Sequence, residues 1–319
     1  MIDNSLPRFL RTRDAALGGN DRTLRSRFER GELTRIRSGL YLPTSDWTSM
    51  DADQRYRTRV AAASHVTQLG TQFSHDSAAA LWRLPSLGPW PTQIHALGTT
   101  SSGSRASTDL RKHQLPGDDN HAEISGIAVT SLARTALDMS ATTTFARAVG
   151  MVDSALHRPD EQDFRGVHSI APATPSEILA LLEDLMPYYG HAKARKVLAF
   201  ATGKSGSLRE SVSRVQFHSL GLAPPELQVP FYDEDGLIGY VDFYWPELDL
   251  IGEFDGIVKY RDKLYLRGQL PEDVVIAEKL REDRLRRAVR AFTRWGWAVA
   301  TDRVLLERRL AEQGLLRTR

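Results

Sequence analysis

In the stretch VDFYWPELDLIGEFDGIVKY, residues 241–260, apolar and polar side chains alternate along two short runs separated by a turn at Pro246 and Glu247. Alternation at period two marks strands with one buried face. The pairing register then decides where the charges go. If opposite positions sum to an odd number near 495, Val241, Phe243 and Trp245 share an apolar face with Leu248, Leu250, Gly252 and Phe254. The other face carries Tyr240, Asp242 and Tyr244 beside Asp249, Ile251, Glu253 and Asp255. Asp242 then lies across from Glu253, with Cβ atoms about 5 Å apart. A slip of one residue would mix charge into the core. Two facing carboxylates repel unless a cation or proton sits between them. Magnesium or manganese takes such oxygen ligands, usually from one or two carboxylates plus substrate phosphates. A nearby lysine would orient water or neutralise phosphate charge. For an Asp–Glu pair alone, a solvated strand face is the simpler reading.

The surrounding sequence supplies the rest of a domain. SLRESVSRVQFHSLGL, from Ser207, reads as a helix burying Leu208, Val212 and Val215 and ending at Gly221. The runs VPFYD, LIGYVDFYW and LDLIGEFDG follow as three strands, then PEDVVIAEKLREDRLRRAVRAFTRW as a long helix and WAVAT as a final strand. The order is α, three β, α, β, with one crossover helix.

The other end of the chain is arginine-rich. Asp21 can cap a helix that turns Leu24 and Phe28 inward and Arg22, Arg25 and Ser26 toward solvent; Gly31 ends it. Residues 33–37, with Arg35 and Arg37, and 40–42 then form a hairpin around Ser38 and Gly39. Helix, turn, basic helix and hairpin is the plan of a winged helix. Between Arg8 and Arg37 there are nine arginines against four acidic residues, so this face suits a phosphate backbone of any base sequence. A solvated charged face is the alternative for such a helix alone, and the basic hairpin favours DNA.

Residues 48–158 read as a central α/β region and 159–206 as a linker with helices, one opened by Thr174, Pro175 and Glu177. The contiguous Ser74, His75 and Asp76 cannot form a catalytic triad, whose members converge from separate elements. The remaining histidines are scattered, without HExxH spacing or cysteine companions, so no histidine metal site is expected. Gly203, Lys204 and Ser205 resemble the tail of a phosphate loop, but Leu198 occupies the position of its first glycine. The absence of cysteine excludes disulfide frameworks, zinc ribbons and cysteine nucleophiles. The start carries no apolar leader and no run approaches the roughly 18 residues of a membrane span, so a cytoplasmic location is expected.

Asp242 in VDF, Glu253 in GEFDG, the following KY, the helix EKLREDRLRRAVRAFTRWGW and the upstream SLRES together resemble the PD-(D/E)XK nuclease superfamily, in the branch similar to very-short-patch-repair endonucleases. RIRSGLYLPTSDW, SHDSAAALWRLP, GPWP and VTSLARTALDMS resemble the antitoxin-type winged-helix proteins of the AbiE abortive-infection, type IV toxin–antitoxin family. The two likenesses cover nearly all of the 319 residues, as in actinobacterial proteins that join such parts. They imply an α+β multidomain chain: a winged-helix head over 1–47, a central α/β domain over 48–158, linker and helices over 159–206, and a restriction-endonuclease-like αβββαβ domain over 207–319. They imply Asp242 and Glu253, with Asp255 beside them, as ligands of Mg²⁺ or Mn²⁺. Lys259 or Lys279 would supply the superfamily's amine, because Asp255 stands in its usual place, and Val241 replaces the proline before the aspartate. Glu210 matches the first acidic position, or closes a capping box with Ser207. Asp283 can pair with Lys279 one turn away. Arg286, Arg287 and Arg290, with Lys279, would hold DNA phosphates or form a solvated face.

The implied function is a DNA-binding, Mg-dependent endonuclease in phage defence or repair, acting beside a cognate toxin. The alternative is a non-catalytic, antitoxin-like repressor that keeps the nuclease fold. A carboxylate-pair glycosidase is disfavoured, since facing strand carboxylates leave no sugar cleft.

Overall fold

The computed structural model describes residues 6–17, 21–68, 70–98, 109–115, 121–157, 171–255 and 271–317, the side chains of 15–17, 21, 22 and 271 excepted. The chain is a mixed α/β protein that divides into two compact units. Met1–Met151 with Asp160–Ala199 form unit 1, and Val152–Pro159 with Phe200–Arg319 form unit 2.

Unit 1 opens with β1 (Leu10–Arg11), α1 (Thr12–Leu17), α2 (Asp21–Glu29) and the strands β2 (Leu33–Arg37) and β3 (Leu40–Pro43). The three strands pair antiparallel in the order β1-β3-β2. Gly31 follows α2 at a φ of +74°, a conformation that favours glycine. Leu33, Leu40 and Leu42 are buried. Phe28 departs from expectation: it is exposed, with its ring edge on Tyr41 at 5.5 Å. Alternation along β3 sets Tyr41 on the face opposite Leu40 and Leu42, and Phe28 lies beside it there.

After α3 (Thr44–Ser49) comes α4 (Ala52–Ser64), whose N-terminus is a capping box of Asp51 and Gln54. It packs on α5 (His75–Leu81) through small side chains, Ala61 to Ala63 and Ala78 to Ala80 being buried. The strands β4 (Ile94–Leu97) and β5 (Leu110–His113) pair in parallel, and β6 (Ala122–Ile124) with β7 (Ile127–Val129) forms a hairpin. Ser131 caps α6 (Leu132–Thr142), which is followed by α7 (Phe145–Leu156). Thr174 and Glu177 form the expected capping box of α8 (Pro175–Asp184), with Pro175 in its first turn, and α9 (His191–Phe200) follows.

Unit 2 contains α10 (Leu208–Leu220), β8 (Glu226–Asp233), β9 (Gly236–Trp245), β10 (Leu250–Phe254), α11 (Pro271–Ala288), β11 (Ala291–Trp295), α12 (Trp297–Thr301) and α13 (Arg303–Ala311). The sheet runs β11-β10-β9-β8, antiparallel except for β11, which lies parallel to β10. The order through β11 is α, three β, α, β. One assignment differs from the sequence reading: the long helix stops at Ala288, AFTRW is the last strand, and WAVAT is helical. Phe292 and Thr293 are buried beside β10, so tertiary pairing overrides the helical continuation. In α12 only Ala300 is buried, one helical turn after the exposed Trp297.

The β9–β10 register is the expected one: Trp245 with Leu250, Tyr244 with Ile251 and Phe243 with Gly252, every pair summing to 495. Phe243, Trp245, Leu250 and Phe254 pack with Phe217, Leu220, Trp295, Leu306 and Leu310, so this face is covered by α10, α12 and α13. Ile251, Phe292 and Leu285 pack on the other face, against α11, and Val241 joins that cluster rather than the first. Two tryptophans meet over Gly252, where an added Cβ would lie 2.7 Å from Trp295 and 2.9 Å from Trp245. Gly252→Ala therefore overpacks this core and is expected to cost about 1–3 kcal/mol. Chemical denaturation of the purified variant checks this, and an unchanged midpoint contradicts the packing described.

Candidate carboxylate site and nucleic-acid interface

Asp242 sits on β9 between two neighbours fixed by register. Across from it on β8 is Gln228, flanked by the pairs Leu227–Phe243 and Val229–Val241. Gln228 adopts a φ of +53°, costly for a residue with a Cβ. Its amide reaches Glu210 Oε2 at 3.1 Å and Asp242 Oδ1 at 3.5 Å. The second Asp242 oxygen accepts the backbone N–H of Phe254 at 2.8 Å. The helix α10 thus delivers Glu210 to the same corner as the strand carboxylate. Glu210 also serves the helix start: Gly206 N–H and the Ser207 hydroxyl both donate to it at 2.8 Å, while Ser207 accepts from Glu210 N–H at 3.3 Å. Glu210 is therefore tied to the start of α10 and, through Gln228, is a neighbour of Asp242; the reciprocal bond of a capping box, from the Ser207 backbone N–H, is not formed.

Glu253 is buried, and both its oxygens are taken by cations. Arg281 from α11 donates to Oε1 at 2.7 Å, and Arg294 from β11 donates to Oε2 at 2.7 Å. Arg294 also donates to Glu278 at 2.7 Å and contacts Glu282 at 3.0 Å. Arg281 donates to the Tyr240 carbonyl at 2.8 Å. It passes where the Cβ of any other residue at Gly239 would lie 3.0 Å from its Nε. Burial pulls both guanidinium pKa values down, but the bonds and charge of Glu253 and its acidic neighbours outweigh this and raise them. The guanidinium is the suited cation here, because its planar fork can satisfy several oxygens in a water-poor place.

A divalent ion needs carboxylate oxygens free to bind it. In this arrangement both Glu253 oxygens already accept from guanidiniums, and among the described residues no three histidine or acidic side chains are arranged to hold a metal. Glu253 as it stands is neutralised by two guanidiniums. Asp255 stands half-buried at the end of β10, its N–H donating to the Trp295 carbonyl. Lys259 lies outside the described residues. Lys279 is exposed on α11, as is Asp283. Arg286 pairs with Glu282 and lies over Phe292, while Arg290 donates to the Leu248 carbonyl and, through its backbone, to Asp249.

On α2, Arg25 is highly exposed and pairs with Glu29 one turn on. Ser26 accepts from Arg30, and Arg35 lies over Phe28. The Arg37 side chain is only 16 % exposed and its guanidinium is tied to Asp109, which fastens the hairpin to the strand region of unit 1. The side chain of Arg22 lies outside the described residues.

No family model matches the chain. Two Mycobacterium tuberculosis proteins, both described as uncharacterized, MT2308 of strain CDC 1551 and Rv2248 of strain H37Rv, are similar to it. Each is 30 % identical over 153 residues, 48 % of this chain and 52 % of the relative. The chain spans about half the length of the curated relatives it matches.

One polar cluster escaped the sequence reading. His75, His95 and His113, far apart in the chain, gather inside unit 1. His75 stacks on His113 at 3.6 Å between ring centroids, and His113 Nε2 lies 3.2 Å from His95 Nδ1. Asp138, fully buried, accepts from Arg134 at 2.9 Å and Tyr188 at 2.5 Å, and its other oxygen lies 3.6 Å from His75. Asp76 accepts from Arg147 at 2.6 Å and lies 3.8 Å from His95. The parallel β4–β5 register, with Leu97 opposite His113, brings the third ring in, and nothing in the local spacing announces it. Burial keeps all three rings neutral and pushes His75 and His113 down to about 3.

The unfolded chain binds protons that these folded imidazoles refuse. For His75 and His113 the contribution to stability is present above about pH 6.5 and is lost as pH falls from there toward about 3, about 2 kcal/mol at pH 5 for His75 alone. Hydrogen exchange in α5 and α6 should therefore accelerate between pH 7 and pH 5 after correction for intrinsic rates. His75→Asn, whose side chain tolerates the φ of +49°, should flatten that dependence, and an unchanged slope contradicts it.

Proposed function

We propose that this protein is a DNA-binding regulator built on a nuclease-type frame. α2 and the β2–β3 hairpin act as a winged-helix head, and Arg25 and Arg35 meet the phosphate backbone. Nine arginines against four acids over residues 8–37 support this reading, and the ion pair of Arg25 with Glu29 is exposed enough to exchange for phosphate. Unit 2 is a restriction-endonuclease-like module, supported by the order α, three β, α, β and by the approach of Glu210 to Asp242. It binds without cutting. The observation that carries this is the double tie on Glu253, which leaves the carboxylate site neutralised by Arg281 and Arg294. An AbiE-type antitoxin role, with a toxin protein as partner, is the setting in which such a module is useful without hydrolysis.

A second reading, phosphodiester hydrolysis with Mg²⁺ or Mn²⁺, is favoured by one feature. Glu210 and Asp242 share Gln228, and Asp242 and Glu253 both act on Arg281, so three carboxylates come from the elements a metal-dependent nuclease uses.

The two readings separate in one pair of assays. Full-length protein should retard duplex DNA in a gel shift that weakens steeply between about 50 and 200 mM salt, as counterion release requires. Arg25→Ala with Arg35→Ala should weaken retardation at every sequence and reduce the salt slope by about 2. The same protein should leave supercoiled plasmid intact in Mg²⁺ and in Mn²⁺. A salt-insensitive or absent shift contradicts DNA binding. Nicking that is lost in Asp242→Asn and in Glu253→Gln makes the hydrolytic reading the correct one.

A further inference from the structure

We infer that Arg281 and Arg294 form an ionic lock, a built-in counter-cation that occupies Glu253 and keeps divalent ions off the carboxylate corner. The inference rests on the nuclease-type reading of unit 2 and goes beyond it by assigning the guanidiniums a regulatory task.

Three features argue for a lock and against an incidental surface pairing. The arginines come from different elements, α11 and β11, and close on opposite oxygens of one buried carboxylate. Exposed pairs contribute little, whereas a buried carboxylate must find cations or lose its charge. The route of Arg281 is cleared: Gly239, at a φ of +148°, leaves the space its Nε passes through, and the Tyr240 carbonyl receives its second donor. The lock is also held from behind. Glu278 receives both arginines and Glu282 contacts Arg294, so the guanidiniums keep acidic partners whether or not they hold Glu253.

The charges make the lock releasable. The two arginine side chains are 25 % and 19 % exposed, enough for solvent or a competing anion to reach them, while Glu253 is 6 % exposed and cannot turn to water for its counter-charge. When the guanidiniums leave, the carboxylate lies on the strand beside Asp242 with no cation. Asp242 and Glu253 both act on Arg281, so without the guanidiniums the two carboxylates repel, and a divalent ion relieves that repulsion.

The test is Mn²⁺ uptake by the full chain without DNA, counted by electron paramagnetic resonance of free Mn²⁺. Wild-type protein should take up no Glu253-dependent Mn²⁺ at about 1 mM metal, a concentration that loads weak carboxylate sites. Arg281→Met with Arg294→Met should gain one site bound at least about tenfold more tightly, the scale of coupling between competing occupants. Adding Glu253→Gln to that variant should abolish the gain. If the methionine variant does not fold, as judged by circular dichroism, Arg281→Lys with Arg294→Lys replaces it. Lysine keeps the charge but loses the fork, so a smaller gain is expected. Wild-type uptake that vanishes in Glu253→Gln overturns the lock, and so does a folded unlocked variant with no gain. Failure of the gel shift would instead remove the DNA-binding reading, since metal uptake is measured without DNA.

Discussion

The pairing of β9 with β10 is the constraint on which unit 2 depends. With opposite residues summing to 495, Phe243, Trp245, Leu250 and Phe254 fall on the side covered by α10, α12 and α13. Ile251 and Phe292 fall on the side covered by α11. The same register leaves Asp242 and Glu253 as successors on that second side, where α11 can bring Arg281 to meet them. Shifting the pairing by one residue would turn the aromatic residues toward α11 and the acids into the aromatic core, so the apolar packing and the charged corner are two consequences of one alignment.

The corner itself is an exercise in disposing of buried charge. Fully buried ion pairs lose about 3–5 kcal/mol when one partner is removed, and partial exposure of the arginines brings the value for Glu253 below that range. Asp242 solves the same problem differently, through a backbone N–H and a shared glutamine. Glu210 closes a helix start with one side of its carboxylate and reaches Gln228 with the other. Unit 1 holds a comparable arrangement of opposite character, where neutral imidazoles surround Asp138 and Asp76 and arginines carry the balancing charge.

Much of this was legible in the sequence, because it depends on short-range rules. Alternation from Val241 to Phe254 announced the strands and their register, and Thr174 with Pro175 and Glu177 announced a helix start. The end of α11 was not legible. AFTRW carries a helix-compatible Ala and Arg, and only pairing with β10 makes it a strand. WAVAT alternates like a strand and yet forms a turn of helix. The tie on Glu253 was invisible for a related reason, since Arg281 and Arg294 belong to elements separated from it by 28 and 41 residues and look locally like a solvated helix face and a strand end. The histidine cluster depends on a parallel pairing between β4 and β5, which leaves no local pattern.

The central claim is that the cation beside Glu253 is supplied by the chain itself. Crystals of the wild-type protein soaked in manganese chloride and measured above the manganese absorption edge test it directly. The account predicts no anomalous peak within coordination distance of Glu253, and electron density joining its carboxylate to Arg281 and Arg294. A peak bridging Asp242 and Glu253, with the two guanidiniums turned away, would contradict it.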